Sequence, residues 1–334
     1  MAARAFRTAL ERWYERTRRD LPWRATRDPY RILVSEIMLQ QTRAQAVVPY
    51  YHRFLERFPD ADTLALAPEA EVLACWSGLG YYARARNLLA AAREIAATSG
   101  FPGDYDSIRA LPGVGPYTAA AVASIAFDQP HAVVDGNVMR VIARLRNDGA
   151  DIASARTRAR FQQLADDLLD RRHPGRFNQA LMELGATICL PRAPECPLCP
   201  VARFCEGRKA GRESELPVKR PKRAPERMER EVAIVEKKGS VLMRRRSLTA
   251  TLMPGFWELP GPEDLAQWRA GTVLGSFRHT ITHHHYTVTV LRGTISRAPV
   301  GLRWLRRENL DRVPVSTIAR KALRLLLVRL DGAR

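Results

Sequence analysis

Residues 111–122 read LPGVGPYTAAAV, and this pattern decides the fold of the first half of the chain. Gly113 and Gly115 permit a tight turn with close approach of the backbone to a ligand. Pro116 suits the first turn of a following helix, whose free amides can hold a phosphate. The stretch predicts two helices joined by an anion-binding hairpin. Outward from it, over residues 1–206, apolar residues recur at three- and four-residue spacing, punctuated by Pro and Gly, with no sustained alternation. That half is expected to be all α. Residues 1–20 are Arg-rich and amphipathic but contain acids, so a surface helix is expected there rather than a signal peptide.

Residues 207–230 are charged and nearly devoid of large apolar side chains, with Pro217, Pro221 and Pro225 among them. Such a stretch cannot bury a core and reads as a linker. After it the period changes: VAIV, a turn at Lys238 and Gly239, VLM, and the alternating YTVTVLRGTI predict strands. Helices are expected near 262–269 and 317–330. The fold class is therefore multidomain, an all-α domain (1–206) followed by an α+β domain (231–334).

Lysine and arginine number 54 against 35 aspartates and glutamates, a net charge of +19, which points to a polyanionic partner. No apolar run approaches the eighteen or so residues of a membrane span, and a cytoplasmic setting, nucleoid-associated in a bacterium, is expected. Four of the five cysteines crowd together as C-x6-C-x2-C-x5-C at Cys189, Cys196, Cys199 and Cys205. In a reducing compartment such spacing reads as a metal site, and by itself it fits zinc or a [4Fe-4S] cluster. Cys75, apart from them, reads as a packed residue.

Two acids stand out. Asp28-Pro29 starts a helix, YRILVSEIMLQQT, in which Glu36 is the only acid among mostly apolar residues. Burial raises a carboxyl pKa toward what a general acid needs near neutral pH; a solvent-facing glutamate is the ordinary alternative. Asp135, in AVVDGNVMRV, reads on its own as a helix N-cap.

The cysteine loop, following FNQALMELGATIC, resembles that of the endonuclease III superfamily of helix-hairpin-helix DNA glycosylases, which implies a [4Fe-4S] cluster in the loop 189–205. SEIMLQQT (35–42) resembles the catalytic helix of MutY-type adenine glycosylases, and VDGNVMRV (134–141) the segment bearing the superfamily's catalytic aspartate. The resemblance implies excision of adenine from A:8-oxoguanine or A:G mispairs in double-stranded DNA by a monomer. Glu36 would protonate N7 of a flipped adenine, Asp135 would stabilise the cationic sugar, and Tyr117 and Asn137 would support them. Arg24 and Gln179 would recognise adenine. Gln41, Thr42 and Tyr81 would contact the duplex, Gln41 and Tyr81 as wedges, and Gly113 and Gly115 would meet the backbone. Strand-cutting relatives carry a Schiff-base lysine where this chain has Tyr117, and phenol forms no Schiff base.

The C-terminal half resembles the Nudix-like lesion-reading domain of the same family through PGFWELP (254–260) and RWLRRENL (303–310), without the acidic metal helix of Nudix hydrolases. Where the family's loop is Phe-Ser-His, this chain has Ile281, Thr282 and His283; Thr282 and His283 are the expected lesion contacts. His283, His284 and His285 should alternate faces of a strand rather than share a metal. Two other readings stay open: a thymine or uracil mismatch glycosylase, and a catalytically silent DNA-binding module with a redox cluster.

Overall fold

The computed structural model describes residues 3–98, 100–219, 226–250, 253–281 and 284–331. Helices in chain order are α1 (Ala3–Thr17), α2 (Pro29–Leu39), α3 (Ala44–Arg57), α4 (Ala61–Ala65), α5 (Glu69–Cys75), α6 (Ala83–Ala96), α7 (Tyr105–Ala110), α8 (Pro116–Phe127), α9 (Gly136–Leu145), α10 (Ala155–Leu168), α11 (Pro174–Thr187), α12 (Glu206–Lys209) and α13 (Thr317–Asp331). The strands are β1 (Glu226–Lys237), β2 (Ser240–Arg245), β3 (Trp257–Glu258), β4 (Arg269–Ile281), β5 (His284–Thr294) and β6 (Leu302–Arg306). None of the described helices is long and apolar enough to cross a membrane.

Two compact units form: Met1–Leu66 with Asn87–Arg220, and Ala67–Arg86 with Pro221–Arg334. In the first, α1 buries Phe6, Leu10 and Tyr14, one face at four-residue spacing, so the expected surface helix is a helix with one face in the core. Asp28 accepts from Arg31 N (3.1 Å) to cap α2, and Pro29 fills its first position. Eight of the eleven residues of α2 are buried, and the small side chains of the alanine-rich α8 let it pack closely against α2. These two helices form the centre. The turn between α7 and α8 needs Gly113: its φ is +75°, and an added Cβ would lie 2.4 Å from Asn87 Cβ. Gly185 on α11 lets the start of α9 approach, since a Cβ there would meet Asn137 Cβ at 2.7 Å.

The stretch expected as a linker is ordered where it begins. Gly207 and Leu216 are buried, Arg144 Nε donates to Leu216 O (2.9 Å), and Ile152 N donates to Val218 O (3.0 Å). Buried Arg144 has donors that need acceptors, and the Leu216 carbonyl supplies one.

In the second unit the strand order is β3-β2-β1-β5-β4, with β6 also paired to β2; β1 and β5 run parallel and the other pairs antiparallel. Val232, Ile234, Val241, Met243, Val288 and Val290 point to one core, at the two-residue spacing of a pleated strand. The face is covered by Ile318, Ala319, Ala322 and Leu326 of α13. Tyr82 packs on Phe256 with ring centroids 4.2 Å apart, and Arg86 Nη2 donates to Pro254 O (2.8 Å), which ties Ala67–Arg86 into this unit. The helix expected near 262–269 is only a single 3-10 turn, Pro262–Asp264. Gln267 adopts a left-handed φ of +55°, a conformation no continuing α-helix contains, and β4 follows at once.

Candidate active site

A cavity of about 830 Å³ lies in the helical unit. Helical spacing selects its walls: Ile32, Glu36 and Leu39 share one face of α2, and Gln179, Met182, Glu183 and Ala186 share one face of α11. Arg24, Gln41, Thr42, Tyr117, Asp135 and Asn137 also line it. Eight residues expected at the site thus come together around it.

Glu36 is 4% exposed, and its Oε2 has no hydrogen-bond partner. Burial pushes its carboxyl from the ordinary 4.5 up to about 7; a hydrogen bond from Tyr117 opposes the shift, and nearby Asp135 adds to it. The Tyr117 hydroxyl also faces Met182 Sδ at 3.4 Å. A carboxyl with one unbonded oxygen and a pKa raised toward neutrality can hold or release a proton near pH 7.

Asp135 caps α9, as its sequence context suggested: Oδ1 accepts from Val138 N (2.7 Å) and Oδ2 from Asn137 Nδ2 (2.9 Å). Asn137 Oδ1 in turn accepts from Arg140 Nη2 (2.8 Å). Burial raises the Asp135 pKa, while these bonds to Val138 and Asn137 pull it down.

One cavity residue escaped the sequence reading. The Glu183 side chain is fully buried and bridges two arginines: Arg19 donates from N (3.0 Å), Nε (2.9 Å) and Nη2 (2.7 Å), and Arg24 from Nη2 (2.6 Å). Burial raises the Glu183 pKa, but the hydrogen bonds from Arg19 and Arg24 outweigh it and bring it down to about 2. Arg24 is thereby fixed beside Glu36. Glu183 stands four residues after Gln179, on the same helical face, and that spacing was the available signal.

Tyr81, Gly113 and Gly115 do not line this cavity. Tyr81 is half exposed, in the left-handed region at φ +49°. Gly115 caps α8 with open space around it, which leaves the helix amides approachable. Thr282 and His283 lie outside the described residues. His284 Nε2 pairs with Glu226 Oε2 at 3.1 Å.

The four clustered cysteines line one small cavity of about 30 Å³ with Arg144, Arg208 and Glu213. Arg144 Nη1 donates to Cys189 Sγ (3.2 Å) and to Leu190 O (2.7 Å). Cys75 is not among them. Among the described residues no three His, Cys, Asp or Glu side chains are grouped as ligands of a single metal ion.

Residues 34–166 match the family described as HhH-GPD superfamily base excision DNA repair protein, and residues 231–325 match the NUDIX domain. The chain is 35% identical to the adenine DNA glycosylase of Mus musculus, covering 99% of this chain and 79% of that protein. With the adenine DNA glycosylase of Homo sapiens it shares 33% identity, over 96% of this chain and 74% of that one. The chain belongs to the adenine DNA glycosylase family. This family member also resembles a solved thermostable thymine-DNA glycosylase, with a TM-score of 0.57 and 32% identity, over 62% of this chain and 97% of that one. As an adenine DNA glycosylase by family, it is a base excision repair enzyme acting on DNA, with a helix-hairpin-helix domain followed by a Nudix-like domain.

Proposed function

We propose that the chain, acting as a monomer, hydrolyses the N-glycosidic bond of adenine mispaired with 8-oxoguanine or guanine and leaves the strand uncut. The observation that carries this is the buried Glu36 carboxyl, with a pKa of about 7, in one cavity with the capped Asp135. Two carboxyl groups in different environments divide glycosidic cleavage between acid and sugar stabiliser. The Glu36 proton passes to N7 of the flipped base, the C1′–N9 bond breaks, and its electron pair leaves with adenine. Asp135 faces the cationic sugar. Water then adds its oxygen to C1′ and returns a proton to Glu36. Arg24 and Gln179 hold the base, with Gln41, Thr42 and Tyr81 on the duplex and the Gly113–Gly115 hairpin on its phosphates. Base flipping costs a few kcal/mol of stacking, which wedge residues offset.

Cys189, Cys196, Cys199 and Cys205 would hold a [4Fe-4S] cluster. Four thiols around one cavity suit it, and Arg144 Nη1 already donates to Cys189 Sγ. When bound, the cluster cross-links the loop and leaves no ligand position for substrate. The NUDIX match at 231–325 supports reading of 8-oxoguanine by the second domain. It also distinguishes this chain from the thymine-DNA glycosylase, which 62% of this chain matches over 97% of its length.

The test is single-turnover excision on duplexes bearing A:8-oxoguanine, A:G and T:G, each analysed with and without alkali. Adenine release with strands intact until alkali is added is expected. Thymine release alone, or strand cleavage without alkali, would overturn the reading.

A further inference from the structure

Tyr81 combines two features that each cost free energy: half-exposure of a large ring and a left-handed backbone. It follows a turn in which Gly78 (φ +108°) and Gly80 (φ +72°) are also left-handed. A non-glycine residue held in that region stores strain, and the surroundings must over-determine it. The surroundings here converge on one side chain. Arg84 is 8% exposed, and its Nη2 donates to Leu79 O (3.2 Å) and Gly80 O (3.0 Å), the two carbonyls just before Tyr81. Its guanidinium carbon lies 5.5 Å from the Tyr81 ring centroid and 5.5 Å from that of Trp76. Trp76 is fully buried and donates from Nε1 to the same Gly80 carbonyl (3.2 Å). The backbone of Arg84 joins in, its N donating to Tyr81 O (2.9 Å).

The outcome is a layered support, with a buried indole and a guanidinium beneath one exposed phenol. A flat guanidinium suits this better than an ammonium, because it stacks on rings while its donors reach carbonyls in its own plane. A ring held this way enters a base stack without first losing rotamer and backbone freedom, the cost that preorganisation removes.

We propose that Arg84 is a positioning residue that presets Tyr81 for insertion into duplex DNA, acting through the ring and the two preceding carbonyls rather than by touching a base. The proposal rests on the reading of Tyr81 as a wedge. It assigns to Arg84, one position in a run of similar arginines, a role the run does not reveal.

The experiment uses the full chain and a duplex with 2-aminopurine beside the base opposite adenine, whose fluorescence rises when it is unstacked. Wild type, Tyr81→Ala, Arg84→Met and the double variant are titrated, with Arg84→Lys as the conservative change. Arg84→Met should raise the protein concentration needed for half the fluorescence change roughly tenfold, the scale of a cation–π contact with charged hydrogen bonds. Arg84→Lys should recover part of it. In the Tyr81→Ala background, Arg84→Met should add nothing. A full additional loss in that background would show that Arg84 supports the fold rather than Tyr81, and would overturn the proposal. So would a wild-type response from Arg84→Met. A wild-type protein that never disturbs 2-aminopurine would remove the wedge role of Tyr81, and Arg84's role with it; loss of the proposal alone, with a wild-type signal intact, leaves the wedge reading standing.

Discussion

Replacing Glu36 by Gln separates chemistry from stability in opposite directions. Burial raises the Glu36 pKa from 4.5 to about 7, so the folded state binds a proton that the unfolded chain has released between those values. The stability Glu36 contributes is fully present below about 4.5 and is lost as pH rises through about 7. At 1.36 kcal/mol for each tenfold, the whole loss is about 3 kcal/mol. Glutamine keeps the shape and does not titrate. Urea unfolding of the two proteins side by side should show Glu36→Gln gaining roughly 2–3 kcal/mol on wild type between pH 5 and pH 8.5. Excision should move the other way: wild-type single-turnover rates should fall as pH rises beyond about 7, and the variant should be nearly inactive at every pH because it has no proton to give. Stability curves that stay parallel across this range would refute the assignment of the raised pKa to Glu36, and near-normal excision by the variant would remove it from the mechanism.

Glu183→Gln should cost about 3–5 kcal/mol in urea unfolding, since it strips a buried carboxylate from Arg19 and Arg24, and should slow excision by releasing Arg24; because the Glu183 pKa is lowered to about 2, its stabilisation is present above about 4.5 and should fade as pH falls toward 2. Gly113→Ala combines a φ of +75° with a 2.4 Å approach to Asn87 Cβ and should cost about 2 kcal/mol or more, with weaker binding to undamaged duplex in fluorescence anisotropy. Protein purified without oxygen should be brown and carry about four irons per chain, whereas stoichiometric zinc without iron would contradict the cluster.

Of the cavity, only the Glu36 and Asp135 carboxyl groups were legible from their local sequence alone. Glu36 stood out as the one acid in α2, and Asp135 as an acid directly before a helix, where the structure places it as a cap. Arg24, Tyr117, Asn137, Gln41, Thr42 and Gln179 came from the family resemblance, and the fold brings them to the same cavity. Arg144 was not legible. It is one arginine among several in RVIARLR, and only the packing of α9 against the cysteine loop makes it a buried hub for Leu190 and Leu216 carbonyls. The strand β4 was missed for a related reason. Its register shifts between Ala270 and Thr272 and between Val273 and Gly275 break the alternation from which strands are read.

The different environments of Glu36 and Asp135 follow from where each carboxyl sits on its helix. Glu36 lies mid-helix, where every nearby amide already bonds within α2, so one of its oxygens finds no partner and neutrality is its cheapest state. Asp135 lies at the start of α9, where the free amides of the first turn have no partner of their own. It bonds one directly and takes a second hydrogen from Asn137, whose own oxygen is held by Arg140. A developing positive charge on a sugar would meet a side chain whose two oxygens are held in place by N–H donors, while the leaving base would meet one with a free oxygen and a raised pKa. The division of labour therefore does not require the two residues to differ in kind. An aspartate at position 36 would leave the acid short of the cavity by one methylene, and a glutamate at 135 would have to abandon the cap geometry, so exchanging the two should cost excision far more than either exchange alters charge.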